Sequence, residues 1–330
     1  MWCFRLFDDS NMRRHRAFQN LFLPNCHFYI LNCNFYLKTR KPENQPPFCS
    51  YVDGIPFMKT ASITILFIAF LVLSIFSKAS AQGLVDGFYN GAGKLTAVLG
   101  AGYEDNPTYL AGKNELDLEK SFLNVNTFLA YGLTDRWELN LAAAYVKSDQ
   151  EAGLQDARFI TKFKAFEHKT DQYQLSTTIA GGIAFPLTDY ETEGLNAIGQ
   201  RATRFPLRAL LHFQKADGWF ATAQAGYTPT LNPTPDSNTA SLKLGVAKSS
   251  YYIDAFIDYQ NSLNGRDYRG FPQPNNFREL EVDFLRAGVT FYKPFGSRAG
   301  AFINTAYTFN GRNVGLGPAI NIGLVYKTSL

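Results

Sequence analysis

Hydrophobic and polar residues alternate along residues 122–146 in a way that predicts a β-hairpin. On the second arm one face holds the apolar side chains Trp137, Leu139, Leu141, Ala143 and Tyr145. The opposite face is polar or small, and a period of two residues is that of a strand. Residues 132–135, Gly-Leu-Thr-Asp, form the turn. Each arm has about ten residues, the length that a tilted strand needs to cross a bilayer. A hairpin of a soluble β-sandwich alternates in the same way, so the rest of the chain has to decide.

The same alternation recurs along the chain and predicts an all-β fold of about twelve strands. Between them lie segments rich in Gly, Pro, Asn and Asp, which are typical of turns. The predicted strands are 93–103, 120–131, 136–147, 154–167, 172–186, 203–215, 218–228, 238–248, 251–262, 279–293, 299–309 and 317–327. In strand 279–293 the apolar phase shifts by one residue near Leu285 and Arg286, which predicts a β-bulge there.

The links between these strands alternate in length. Short turns follow the even-numbered strands, whereas longer links such as 104–119, 187–202 and 263–278 follow most odd-numbered strands. Transmembrane barrels of the outer membrane have this asymmetry, with tight turns at one end and loops at the other. A Greek-key sandwich has no reason to produce it. The pattern therefore predicts a single up-and-down antiparallel β-barrel, with apolar faces toward outer-membrane lipid, polar faces toward the lumen and both termini in the periplasm.

The first 81 residues differ in composition from the remainder. All four cysteines lie before residue 58, and residues 1–57 show no sustained period, which favours a non-native or disordered extension. Residues 58–81 combine a basic start at Lys59, an apolar run over 63–76 and the small-residue site Ala79-Ser-Ala81. These are the three parts of a secretory signal peptide. We therefore expect residues 82–330 to be the exported barrel, with Gln82 at its N-terminus.

Charge follows the same division. Residues 82–330 contain 23 Lys and Arg and 24 Asp and Glu, so the remaining 9 basic and 4 acidic residues of the totals of 32 and 28 lie in the first 81. The net charge of the predicted barrel is therefore close to zero, which gives no support to nucleic-acid binding. The oligomeric state is left open.

Two sequence motifs resemble a known family. The segment 131–141, Tyr-Gly-Leu-Thr-Asp-Arg-Trp-Glu-Leu-Asn-Leu, and the strand entry 153–156, Gly-Leu-Gln-Asp, are similar to the outer-membrane family named for the meta-pathway of phenol degradation. The run 179–186, which ends in Phe-Pro, is similar to the next strand of that family. The resemblance implies a transporter-like barrel that takes up aromatic or other hydrophobic compounds. The polar loop 187–202 departs from the family's pattern.

The polar faces supply the candidate functional residues. Basic side chains fall on strands four and six and acidic ones on strands nine and ten, which in a barrel of twelve lie on roughly opposite walls. The predicted pore-lining residues are Arg158, Lys162, Lys164, Arg208, His212, Asp254, Asp258, Glu281 and Asp283. They would either polarise a narrow channel or pair with one another in a filled interior.

Other chemistry has little support in the sequence. Ser176 and Ser241 fall on the predicted lumen face, but no nucleophile-base-orienter pattern marks either with His212. We expect no cofactor, and no cluster of side chains has metal-ligand spacing. The leading expectation is a pore for small solutes, with hydrophobic or aromatic compounds as the class implied by the resemblance. The alternatives are a plugged structural or adhesive barrel acting through its loops, and a barrel lipase.

Overall fold

The protein is described by a computed structural model, which covers residues 85–193 and 197–329. The predicted extension at 1–57, the predicted signal peptide at 58–81 and the expected N-terminus at Gln82 lie outside the described residues. The fold is all-β, as the alternation predicted. No helix in the described ranges is long and apolar enough to cross a membrane.

Fifteen strands are found in the described residues, and they belong to one continuous sheet. They are β1 (Lys94–Asn106), β2 (Thr108–Ala111), β3 (Asn114–Leu116), β4 (Lys120–Gly132), β5 (Trp137–Lys147), β6 (Ala152–Leu154), β7 (Asp156–Lys169), β8 (Tyr173–Pro186), β9 (Leu207–Lys215), β10 (Trp219–Thr228), β11 (Asp236–Ala247), β12 (Tyr252–Leu263), β13 (Asp283–Phe295), β14 (Ala299–Arg312) and β15 (Gly315–Ser329). The remaining element is a short 3-10 helix, Phe277–Glu279.

Twelve of these strands close into an antiparallel barrel. Its order is β1-β4-β5-β7-β8-β9-β10-β11-β12-β13-β14-β15, and β15 pairs back onto β1 from Lys94 opposite Ser329 to Glu104 opposite Ala319. β6 pairs with the last three residues of β5, and the β2–β3 hairpin pairs with β15. Closure pairs the edges that an open sheet would leave exposed in lipid. The predicted twelve-stranded barrel is thus confirmed.

The links have the predicted asymmetry. The tight turns 133–136, 170–172, 216–218, 248–251 and 296–298 lie at one end, which we call the turn end. The loops 107–119, 148–155, 187–206, 229–235 and 264–282 lie at the other, which we call the loop end. The link 313–314 is an exception, since it is as short as a turn. There β13 pairs with β14 as far as Arg312, and β15 carries the β2–β3 hairpin.

The inside–outside assignment follows the alternation. On β9 the outward Leu211 is 49% exposed, whereas the inward Arg208 and His212 are buried. On β7 the apolar Ile160 also faces inward and is buried against Val85 and Leu210.

Two local predictions have different outcomes. The predicted bulge is confirmed, because the pairing of β13 with β14 shifts register between Leu285 and Arg286. The predicted strand start at 279 is wrong. Asn276 accepts a hydrogen bond from the backbone N–H of Arg278 and caps the 3-10 helix, so β13 begins only at Asp283.

A candidate solute pathway through the barrel lumen

The lumen contains a cavity of about 1130 Å³, which is lined by inward side chains of the barrel wall and by residues that precede β1. Its lining mixes aromatic side chains such as Phe128, Tyr252 and Phe284 with charged ones. Charged groups inside a barrel are solvated by one another or by water. Aromatic and apolar side chains can contact the apolar part of a solute.

The structure brings five of the nine predicted lumen residues to this cavity. They are Arg158, Lys162, Arg208, Asp254 and Asp258. Their two signs lie on separate walls, because β12 is five strand positions from β7 in the ring of twelve and three from β9. Lys164, His212, Glu281 and Asp283 are not among the residues that line it.

A segment ahead of β1, residues 85–90, enters the lumen and is held by Lys162. The ammonium of Lys162 lies 3.2 Å from the carboxylate of Asp86 and donates a hydrogen bond to the backbone carbonyl of Phe88. The same ammonium lies 2.9 Å from the carboxylate of Glu138 on β5. The Glu138 carboxylate also accepts a hydrogen bond from the backbone N–H of Asn90 at 2.8 Å. One buried cation therefore ties the segment to two strands.

Aromatic contacts fix the same segment to β9, β10 and β12. The ring of Phe88 lies 4.7 Å from that of His212, 5.1 Å from Phe220 and 6.1 Å from Tyr252, in edge-on arrangements. Such pairs add to the stabilisation from burial. His212 is thus a packing partner, and its Nδ1 hydrogen-bonds the Thr222 hydroxyl at 2.7 Å. The sequence did not assign this segment, because Asp-Gly-Phe-Tyr-Asn has no periodicity that separates it from a linker.

Most lumen charges have local partners. Lys164 lies 2.7 Å from Glu167, and Asp254 lies 3.7 Å from Lys243. Asp258 pairs in register with Arg286 on β13. The first of these pairs depends on a bulge between Lys164 and Phe166, which returns Glu167 to the inward face.

Glu281 belongs to a cluster at the loop end, which we call the loop staple: Arg266, Asp267, Glu281, Arg312 and Asn313. Arg312 forms two hydrogen bonds to Asp267, at 2.5 and 2.9 Å, and an ion pair of 2.6 Å with Glu281. Asn313 donates to the backbone carbonyls of Arg266 and Glu281. Asp283 adjoins the cluster and accepts from the backbone N–H of Ser262 at 2.7 Å. These residues join loops rather than line the cavity.

The long loop 187–206 covers part of the loop end. The hydroxyl of Tyr190 donates to Asp156 on β7 at 2.7 Å, and burial raises the pKa of this phenol, with the negative charge of Asp156 adding to the shift. Gln200 donates to the carbonyl of Leu280 at 3.0 Å, and Lys120 donates to that of Ala197 at 2.7 Å. The loop is therefore attached to several parts of the rim.

The residues considered for catalysis do not form a hydrogen-bonded set. Ser176 lies beside His212 across the β8–β9 pair, yet its hydroxyl is buried and has no hydrogen-bond partner among the described residues. Within the same residues, no group of three or more His, Cys, Asp or Glu side chains could hold a metal ion.

Comparisons with known proteins bear on the fold. No protein-family model matches the chain, and no curated protein sequence matches it. Solved structures do. The COG4313 outer membrane channel from Pseudomonas putida F1 is 14% identical and matches 75% of this chain and 100% of its own, with a TM-score of 0.58. This likeness supports the fold of an outer-membrane barrel.

Two other solved structures are less similar. The translocator domain of the autotransporter NalP from Neisseria meningitidis is 12% identical, with coverages of 81% and 96% and a TM-score of 0.39. A Pseudomonas aeruginosa FadL homologue is also 12% identical, with coverages of 77% and 96% and a TM-score of 0.33.

Proposed function

We propose that this protein is an outer-membrane channel for small solutes, in particular solutes with an apolar or aromatic body. The observation that carries the proposal is the cavity of about 1130 Å³ inside a closed barrel, lined by both charged and aromatic side chains. The similarity of the fold to a COG4313 outer membrane channel supports it. The sequence motifs support a distant relationship to the meta-pathway family.

Chain segments partly occupy the passage at both ends. Residues 85–90 occupy the lumen beside Lys162, and loop 187–206 reaches across the loop end to Leu280. Small unitary currents follow from this geometry, because the remaining path is constricted. Export through a signal peptide would leave the turn end and both termini in the periplasm, with the loops facing outward.

Planar-bilayer recording and liposome swelling test the proposal. We expect the purified barrel to conduct in small steps and to admit small aromatic solutes. The Phe88→Ala variant should conduct more, because it removes the ring that contacts His212, Phe220 and Tyr252. Phe213→Ala is the matched control, since Phe213 is an exposed aromatic residue that packs on Tyr173 outside the barrel.

The alternative is a plugged barrel that acts through its outer loops. It is favoured by the loop staple and by the ion pairs that fill the turn end of the lumen. Absence of conductance and of swelling in the parent and in Phe88→Ala alike, with both proteins correctly folded, would favour this alternative over the channel.

A further inference from the structure

Three arginines of the lumen differ from three of its lysines in their ion pairing. Arg158 lies on β7, Arg208 on β9, and Arg204 in the link just before β9, where it forms a bridge to Ala184 of β8. All three line the cavity. Lys162, Lys164 and Lys243 each have a carboxylate within 4.0 Å. For these three arginines no such carboxylate exists among the described residues.

The pairing of the strands groups the arginines around a strip of small residues. Arg158 and Arg204 flank Ala184 in one cross-strand row, and their positive charges oppose each other. Arg208 flanks Ala180, four residues along β8, or about 13 Å at the usual rise of a strand. Between the arginines β8 presents the small residues Ala180, Gly182 and Ala184, and Ala180 is covered by Val85 and Ile160. We call Arg158, Arg204 and Arg208 the arginine patch.

Arg208 is held in place although no carboxylate of the described residues forms an ion pair with it, and Asp258 attracts it only from a greater distance. It is 7% exposed, and its Nη1 atom has no hydrogen-bond partner among the described residues. Its side chain lies over Gly226 on β10, where an added Cβ would come within 2.4 Å of Nη1. Arg204 donates one hydrogen bond, to Gln200 at 3.0 Å.

Asp156 attracts Arg158 and Asp258 attracts Arg208, but neither carboxylate lies within 4.0 Å of its arginine. A buried cation without a counter-charge is costly, and a guanidinium presents a fork of donors that matches a planar oxyanion. An anionic group from outside the chain would relieve this cost.

Apolar side chains lie in the same cross-strand row as Arg158, on the side away from β8. Beyond Arg158 the same row runs to Ala142 on β5 and then to Phe128 on β4. Strands lie about 4.8 Å apart, so Phe128 is about 10 Å from Arg158 along the wall. That separation suits a small solute with an anionic head and an aromatic body.

We propose that the arginine patch is a binding site for the oxyanion head of a solute that passes through the lumen, and that this head is a carboxylate on an apolar or aromatic body. The inference rests on the proposed channel function, because solutes must reach the lumen. A solute entering from the loop end would meet Arg158 and Arg204 before residues 85–90, since Val85 packs beside Ile160 and Ala180, farther from the loop end than Arg158. Arg208 pairs with Ala180 and lies level with Val85.

Binding of 4-fluorobenzoate to the purified full barrel in neutral detergent, followed by fluorine NMR, tests the proposal. We expect saturable binding that Arg158→Gln/Arg204→Gln weakens about tenfold or more, as loss of charge-assisted hydrogen bonds would. Lys248→Gln/Lys327→Gln is the matched control, because it removes two other positive charges that line the same cavity. The control should change affinity by less than about twofold. A heat-modifiability gel verifies that every variant is folded.

Three results would overturn the proposal. They are equal affinity of the arginine variant and the parent, equal loss in the lysine control, and equal binding of 4-fluorobenzyl alcohol, which lacks the charge. Inorganic phosphate that competes as well as benzoate would overturn the assignment of a carboxylate head. Arg158→Lys/Arg204→Lys should retain part of the affinity, because it keeps the charge and loses the fork.

Conductance separates this inference from the channel function. Arginine-dependent binding without conductance or swelling would contradict the channel and leave the binding site standing. Conductance without arginine-dependent binding would contradict the site and leave the channel standing.

Discussion

Glu138 on β5 and Lys162 on β7 form a buried ion pair across neighbouring strands, with Oε1 and Nζ 2.9 Å apart. The two side chains are 3% and 1% exposed. The same ammonium binds Asp86 and the Phe88 carbonyl. The pair therefore joins the wall of the barrel to the segment inside it.

Removing one member of this buried ion pair should lower the free energy of unfolding more than removing one member of an exposed ion pair. Lys162→Met leaves the buried Glu138 without a counter-charge, and we expect the free energy of unfolding to fall by about 3–5 kcal/mol. Lys215→Met is the control. It breaks an ion pair with Asp217 whose side chains are 52% and 53% exposed, and should cost less than about 1 kcal/mol. Urea titration of the barrel in lipid vesicles measures both, and equal costs would contradict the role of the buried pair.

The barrel could be predicted from sequence because its faces repeat with a period of two. The interior could not be predicted as well, because its contacts depend on features without periodicity. The bulge beside Ala165 turns Glu167 inward toward Lys164, and residues 85–90 carry no strand pattern. The bulge at Leu285 was visible only because apolar residues on both sides marked the change of phase.

The two faces of β9 should respond differently to a charge. Leu211 points outward, so Leu211→Arg near the middle of the membrane should lower the free energy of unfolding by about 2–4 kcal/mol. Gln214→Arg on the inward face should cost far less, because the lumen is polar. A refolding titration in vesicles compares the two variants. Equal destabilisation on both faces would reject the inside–outside assignment of this strand.

Ion selectivity should depend on the acidic wall. Asp254→Asn/Asp258→Asn removes two negative charges from the lumen without placing new cations beside Lys243 and Arg286. We expect the reversal potential in a salt gradient to shift toward anions. Lys162→Glu/Lys164→Glu is a poorer test of how lumen charges control ion selectivity. Both lysines already have carboxylate partners, so reversal would place like charges together and destabilise the barrel. Unchanged selectivity in the folded aspartate variant would show that these carboxylates do not control the passage.

Export should remove the first 81 residues. Ala79-Ser-Ala81 is the small-residue site that follows the apolar run, so Edman sequencing of protein purified from outer membranes should begin at Gln82. Replacing Ala79 and Ala81 by larger residues should cause the precursor to accumulate. Recovery of residues 1–57 on the membrane-embedded chain would contradict the predicted signal peptide.

The loop staple should weaken in acid. The pKa values of its two carboxylates shift in opposite directions, which sets the order in which they are protonated as the pH falls. Hydrogen bonds from Arg312 hold the pKa of Asp267 below its usual 3.8, so the stabilisation it provides is complete above that value and is lost as the pH falls through the lower folded-state pKa. Burial raises the pKa of Glu281 above its usual 4.5, so Glu281 takes up its proton first without loss of folded-state stability. We therefore expect the loop to persist near pH 4.5 and to loosen below about 3.8.

Hydrogen exchange at the amides of Gly112 and Tyr268 measures this, because both donate to the side chain of Asn313 in the staple. Protection of these two amides should fall in acid beyond the intrinsic pH dependence of exchange. Asp267→Asn should abolish the pH-dependent part and lower protection at neutral pH, because the amide keeps the shape of the side chain and loses its charge. Amides inside β9 serve as the reference within the same molecule. If protection at Gly112 and Tyr268 does not change between pH 5 and pH 3, the ion pair of Asp267 with Arg312 does not hold the loops.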